Sequence, residues 1–142
     1  MDRKEFIKLC GVGCLGLATM SLLQSCGGMK YYTAALENGA LKIPLSAFEG
    51  GEKKHLPHVI AQNDQLQYPI CVYRFGEKEY SALLMQCTHQ GAELQVFGDR
   101  LQCPAHGSEF TSKGEVQNGP ADQHLRTFEV LIENEYIRVL LK

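Results

Sequence analysis

Two short segments carry residues able to hold a metal: Cys87-Thr88-His89 and Cys103-Pro104-Ala105-His106. Each pairs a thiolate with an imidazole across one or two residues, so both side chains of one tight loop can converge on one centre. Four such donors suit either a single zinc ion, bound tetrahedrally and usually for structure alone, or a binuclear iron–sulfur centre with two thiolates on one iron and two imidazoles on the other. Zinc fingers generally space Cys with Cys and His with His ahead of a helix. Here each loop offers one of each, and no helical pattern follows. The alternation favours the binuclear centre, with zinc as the alternative.

The elements that must position these donors read as short strands. Glu93–Phe97 and Arg100–Cys103 flank Gly98-Asp99, a two-residue connection that suits a tight hairpin. That hairpin lies within the thirteen residues between His89 and Cys103, so it returns the second loop beside the first. Ile70–Phe75 and Glu79–Met85 around Gly76-Glu77-Lys78 predict another hairpin. Leu125–Ile132 and Tyr136–Leu141 around Glu133-Asn134-Glu135 predict a third. Helical periodicity is weak throughout. The expected class is all-β, a small antiparallel barrel or sandwich carrying a cluster-binding loop subdomain.

The neighbours of the four donors sharpen this reading. Cys87-Thr88-His89-Gln90-Gly91 and Cys103-Pro104-Ala105-His106-Gly107-Ser108-Glu109-Phe110 resemble the two cluster loops of Rieske 2Fe–2S proteins. Gly114–Ala121 resembles that family's third, proline-containing loop, with Pro120 in its place, and Leu125 and Phe128 fit the strand that follows. The likeness covers roughly residues 45–142. It implies one 2Fe–2S cluster per chain, with Cys87 and Cys103 on the inner iron and His89 and His106 on the outer iron near solvent. Gly91, Gly107, Ser108 and Pro120 would surround it. The likeness also implies one-electron transfer to a redox protein partner or within a membrane quinol oxidoreductase complex. A Rieske ferredoxin serving an oxygenase is a further alternative.

Departures from the family pattern matter. Many respiratory members carry a disulfide between the two loops, where this chain has Ala92 and Ala105. High-potential members place a Ser and a Tyr after the second His, with hydroxyls directed at sulfur. Ser108 matches the first and Phe110 replaces the second, which implies an intermediate potential.

The N-terminus reads as an address. Arg3, Lys4 and Lys8 precede a small, apolar stretch from Leu9 to Leu23, too short to favour a spanning helix. Leu23-Gln24-Ser25-Cys26 resembles a bacterial lipobox, which implies cleavage before Cys26, its lipidation, and a membrane-anchored, extracytoplasmic protein. Asp2–Lys8 resembles a twin-arginine export motif with Lys4 in the second arginine position. The expected organisation is a signal peptide over 1–25, a tether over 26–40, and the Rieske domain over 41–142. Without residues 1–25 the chain keeps 11 basic and 14 acidic side chains, a mildly acidic balance.

Other readings are bland. A net charge of −2 without a basic cluster argues against nucleic acid. Six Cys invite a disulfide framework, but only Cys87 and Cys103 sit in turn-rich sequence with a His close behind. Cys71 is expected to be a buried hydrophobe. His55, His58 and His124 are expected in surface turns or loops. Nothing resembles a nucleophile–base pair or a catalytic carboxylate pair, so catalysis by this chain alone is not expected.

Overall fold

The computed structural model describes residues 29–142, and the expected signal peptide and Cys26 lie outside them. The described residues form thirteen short strands in three sheets and two 3-10 turns, Leu45–Phe48 and Gly51–Lys53. The strands are β1 (Tyr31–Thr33), β2 (Ala35–Glu37), β3 (Ala40–Pro44), β4 (His58–Gln62), β5 (Ile70–Arg74), β6 (Tyr80–Leu84) and β7 (Gln95–Phe97). They continue as β8 (Arg100–Gln102), β9 (Glu109–Thr111), β10 (Val116–Asn118), β11 (Thr127–Phe128), β12 (Val130–Glu133) and β13 (Tyr136–Leu140). The all-β class expected from the turn-punctuated sequence is observed.

A five-stranded sheet ordered β1-β4-β5-β6-β11 stands between the other two, β12-β13-β3-β2 and β10-β9-β8-β7. Successive side chains of a strand point to opposite faces, and this sheet buries both. Val59, Ala61, Ile70, Val72 and Ala82 pack with Leu41, Ile43, Ile137 and Val139 in one core. Ile60, Cys71, Tyr73 and Leu83 face the other way, into a second core with Leu94, Leu101, Phe110, Cys87 and Cys103. A strand buried on both faces reads as a continuous apolar run, which is why Ile70-Cys71-Val72-Tyr73 shows no polar alternation. The second core supports the loops that carry the candidate ligands.

The hairpins β5–β6, β7–β8 and β12–β13 form as expected. The arm expected over Leu125–Ile132 is instead broken at Glu129. Thr127–Phe128 pairs with β6 in the five-stranded sheet, and Val130–Glu133 pairs with β13 in another. Within the segment expected as a tether over 26–40, residues 31–33 and 35–37 form strands. Tyr31–Thr33 runs parallel to β4, and Ala35–Glu37 pairs with β3 across Asn38-Gly39. Both turn residues have positive φ (51° and 75°), the signature of a type I′ hairpin. Ala34 is buried, and Tyr32 and Leu36 pack on the first core, so burial holds this segment to the domain. Among the described residues no helix is long and apolar enough to cross a membrane.

Candidate metal centre

Three connections meet at one end of the second core. The first runs from β6 to β7 and contains Cys87 and His89. The second, from β8 to β9, contains Cys103 and His106. The third, from β10 to β11, contains Pro120. The first two fold by the same rule. The Cys87 N–H donates to the Ala92 carbonyl (2.8 Å) and the Gly91 N–H donates back to the Cys87 carbonyl (2.8 Å). The Cys103 N–H donates to the Ser108 carbonyl (2.8 Å) and the Gly107 N–H to the Cys103 carbonyl (2.9 Å). Each turn closes through a glycine in the left-handed region, at φ 76° for Gly91 and 81° for Gly107. That conformation puts a Cβ close to carbonyl oxygen, so glycine is the natural occupant.

The two halves of the donor set differ in exposure. Cys87 and Cys103 are 2% and 1% exposed, neither is in a disulfide, and both belong to the second core. His89 and His106 are exposed, with ring centroids 4.9 Å apart and planes at 87°. The structure therefore brings the thiols into one buried cluster and the imidazoles against each other at the surface. Two donors inside and two outside fit a binuclear cluster. Held as ligands, thiolates so deeply buried would have their desolvation offset by a metal's positive charge.

The surrounding side chains are placed as follows. Ser108 is fully buried, and its Oγ accepts from the Ala121 N–H at 3.0 Å, leaving the hydroxyl proton for another acceptor. Phe110 is fully buried in the same core as both cysteines. Pro120 is exposed and follows a cis peptide bond, with Ala121 buried behind it. Sequence reasoning missed three contacts. The Tyr68 hydroxyl donates to the Gly91 carbonyl at 2.6 Å and holds the first loop against the body. The Thr88 hydroxyl donates to the Gln123 carbonyl at 2.7 Å. The Val116 N–H donates to His124 Nδ1 at 3.0 Å, which gives that exposed loop histidine a bracing role. Thr88 lay inside a recognised motif, whereas Tyr68 carried no signal because its partner is set only by the fold.

His55 is exposed as expected, but His58 is half-buried on β4, its ring 5.5 Å from that of Tyr73. Burial lowers the pKa of His58. Cys71 is fully buried on the face of β5 toward the second core, and burial pushes its thiol well above the ordinary range. A thiol held protonated is a poor ligand, and Cys71 lies on a strand rather than in a loop.

A small β domain with buried thiols and surface imidazoles on two loops, and a third loop beside them, offers a donor set that an iron–sulfur cluster could use. A family model described as the Rieske [2Fe-2S] domain matches residues 49–129. The chain belongs to that family; it is a Rieske electron-transfer domain that binds a 2Fe–2S cluster. Over 64 residues it is 31% identical to the cytochrome b6-f complex iron-sulfur subunit 2 of Nostoc sp., spanning 44% of this chain and 36% of that protein. Over 59 residues it is 39% identical to a methylxanthine N1-demethylase of Pseudomonas putida, spanning 39% of this chain and 16% of the relative. The matches thus span about a third or less of these relatives.

Among solved structures, a chain from the complex of reduced oxygenase and oxidized ferredoxin in carbazole 1,9a-dioxygenase superposes with TM-score 0.56 and 25% identity, covering 75% of this chain and 96% of that one. The ferredoxin of carbazole 1,9a-dioxygenase from Nocardioides aromaticivorans gives TM-score 0.53 at 21% identity, covering 72% and 98%, a likeness of fold.

Proposed function

We propose that this protein is a membrane-tethered, extracytoplasmic one-electron carrier, or the Rieske subunit of a quinol- or periplasmic-oxidoreductase complex. In this reading Cys87 and Cys103 hold the inner iron, and His89 and His106 hold the outer one. The observation that carries this ligand assignment is the split in burial between the thiol pair and the imidazole pair. When bound, the cluster supplies one-electron oxidation and reduction. The residues do the rest. Leu94, Leu101, Phe110 and the two cysteines keep water from the inner side. His89 and His106 present an exposed edge to a partner.

The short link before β1 supports a close attachment to the membrane. Four residues separate Cys26 from Tyr31, where β1 begins, a reach of at most ~18 Å between the two Cα atoms. Met29 (38%) and Tyr31 (44%) are exposed at that end. Lipid on Cys26 would hold the domain against the bilayer and confine its exchange to partners near the surface.

Whole-cell fractionation tests this reading. Wild type is expected in the membrane fraction with a lipidated Cys26 at its N-terminus. Cys26→Ala is expected to release the domain with its cluster intact. A mature protein that still begins at unmodified Met1 would contradict the tether. A second reading, the ferredoxin component of an oxygenase, is favoured by the near-complete coverage of single-domain ferredoxin structures. An untethered cytoplasmic protein would select it.

A further inference from the structure

Among the described residues no disulfide joins the two ligand loops, since Cys71, Cys87 and Cys103 are all free. Both loops are tied instead to the third. The Thr88 hydroxyl donates to the Gln123 carbonyl at 2.7 Å, joining the first loop to the third. Two residues earlier, the Ala121 N–H donates to Ser108 Oγ at 3.0 Å, joining the third loop to the second. The third loop is itself braced at its far end. The Val116 N–H donates to His124 Nδ1 (3.0 Å), and the Leu125 N–H donates to the Gly114 carbonyl (2.8 Å). Ala121 and Leu125 are buried in the same core as Cys87 and Cys103.

We propose that residues 121–125 form a hydrogen-bonded buckle that sets the spacing of the two cluster loops, with Thr88 as the positioning residue for His89 and Ser108 for His106. This rests on the ligand assignment proposed above. Thr88 stands between the two ligands of its loop, so fixing its hydroxyl fixes its rotamer and the peptide units on either side. The same hydroxyl lies toward the loop's solvent side, where no core packing could do this. Ser108 closes the other half from inside the core. The contacts Thr88–Gln123 and Ser108–Ala121 bridge 35 and 13 residues of sequence, so they tie together loops that lie far apart along the chain.

The test uses Thr88→Val, which keeps the shape and removes the hydroxyl, beside Thr88→Ser, which keeps the hydroxyl. Thr88→Val is expected to lose its cluster to a chelator about fivefold faster, the factor a net hydrogen bond of this kind is worth, and to broaden the EPR lines of the reduced protein. Thr88→Ser is expected to stay within about twofold of wild type. The buckle is overturned if Thr88→Val matches wild type in both readouts, or if Thr88→Ser behaves like Thr88→Val. Hydrogen exchange of wild-type holoprotein needs no variant: the Ala121 and Leu125 amides are expected to be as protected as that of Cys87. Free exchange there also overturns the proposal. Absence of imidazole nitrogen couplings in wild type would defeat the ligand assignment and the buckle together, whereas couplings with a silent Thr88→Val defeat the buckle alone.

Discussion

The rings of His89 and His106 meet edge to face, 4.9 Å between centroids, although they belong to different loops. The hairpin β7–β8 makes this meeting possible, because its register (Gln95↔Gln102, Val96↔Leu101, Phe97↔Arg100) returns the chain beside its starting point. Their cysteine neighbours point inward and the imidazoles stay in solvent, so the site has a dry side and a wet side. In the proposed reading, the dry side would set the electronics and the wet side would meet the partner.

Phe110 lies on the dry side, fully buried with both cysteines. Phe110→Tyr adds a hydroxyl that can donate to a ligand sulfur and favour the more negative, reduced state. The expected rise in midpoint potential is about 60 mV, equivalent to roughly 1.4 kcal/mol for one electron. A redox titration of the two proteins measures it, and an unchanged or lower potential would show that the ring edge faces away from sulfur.

Ser108→Ala should have two effects. It leaves the Ala121 N–H without its acceptor in a buried place, a loss of about 1–3 kcal/mol in stability. It also removes the hydroxyl proton that the sulfur side can use, so the potential should fall. Denaturant titration and potentiometry on the same preparation separate the two. A variant as stable as wild type would mean that water replaces the lost oxygen.

Gly114→Ala tests the floor beneath the third loop. A Cβ there would stand 2.9 Å from Leu83 Cδ2 and 3.4 Å from Leu125 Cβ, on a backbone with φ 86°. Gly39→Ala has comparable backbone strain (φ 75°) and open space around the new methyl. Left-handed strain alone is worth about 1–2 kcal/mol, so Gly39→Ala should lose that much and Gly114→Ala more. Equal losses in urea denaturation would show that Leu83 moves aside freely.

Alkaline stability should report Cys71 and Tyr73, whose pKa values burial raises. An acid with a raised folded pKa stabilises the fold fully below its unfolded pKa. That contribution is lost as pH climbs from the unfolded toward the folded value. Stability should therefore decline above the ordinary thiol range, from about pH 8.5 upward. Cys71→Ala should flatten the first part of the decline and leave iron content unchanged. Iron loss in that variant would make Cys71 a ligand, contrary to its place on β5.

Much of this was legible in the residues, for identifiable reasons. The hairpins at Gly76–Lys78 and Gly98-Asp99 announced themselves because turn chemistry and strand patterns are local. The Asn38-Gly39 hairpin carried an equally strong local signal. It was obscured because its strands pair over three residues and the first of them sits in a segment that reads as a polar tether. The switch of sheets at Glu129 could not be read, since one residue carries no pattern of its own. The site divides in the same way. Cys–His spacing and the loop glycines are local, so Cys87, His89, Cys103 and His106 stood out. The contacts of Tyr68 with Gly91 and of Thr88 with Gln123 join residues 23 and 35 apart, and only the assembled sheets decide them.

The most direct test of the central claim is metal analysis joined to pulsed EPR of the reduced protein, purified from cells grown with nitrogen-15-labelled histidine. Two irons and two acid-labile sulfides per chain are expected, with couplings to two imidazole nitrogens, one of which is lost in His89→Cys and the other in His106→Cys. A colourless, EPR-silent protein containing a single zinc would contradict the account.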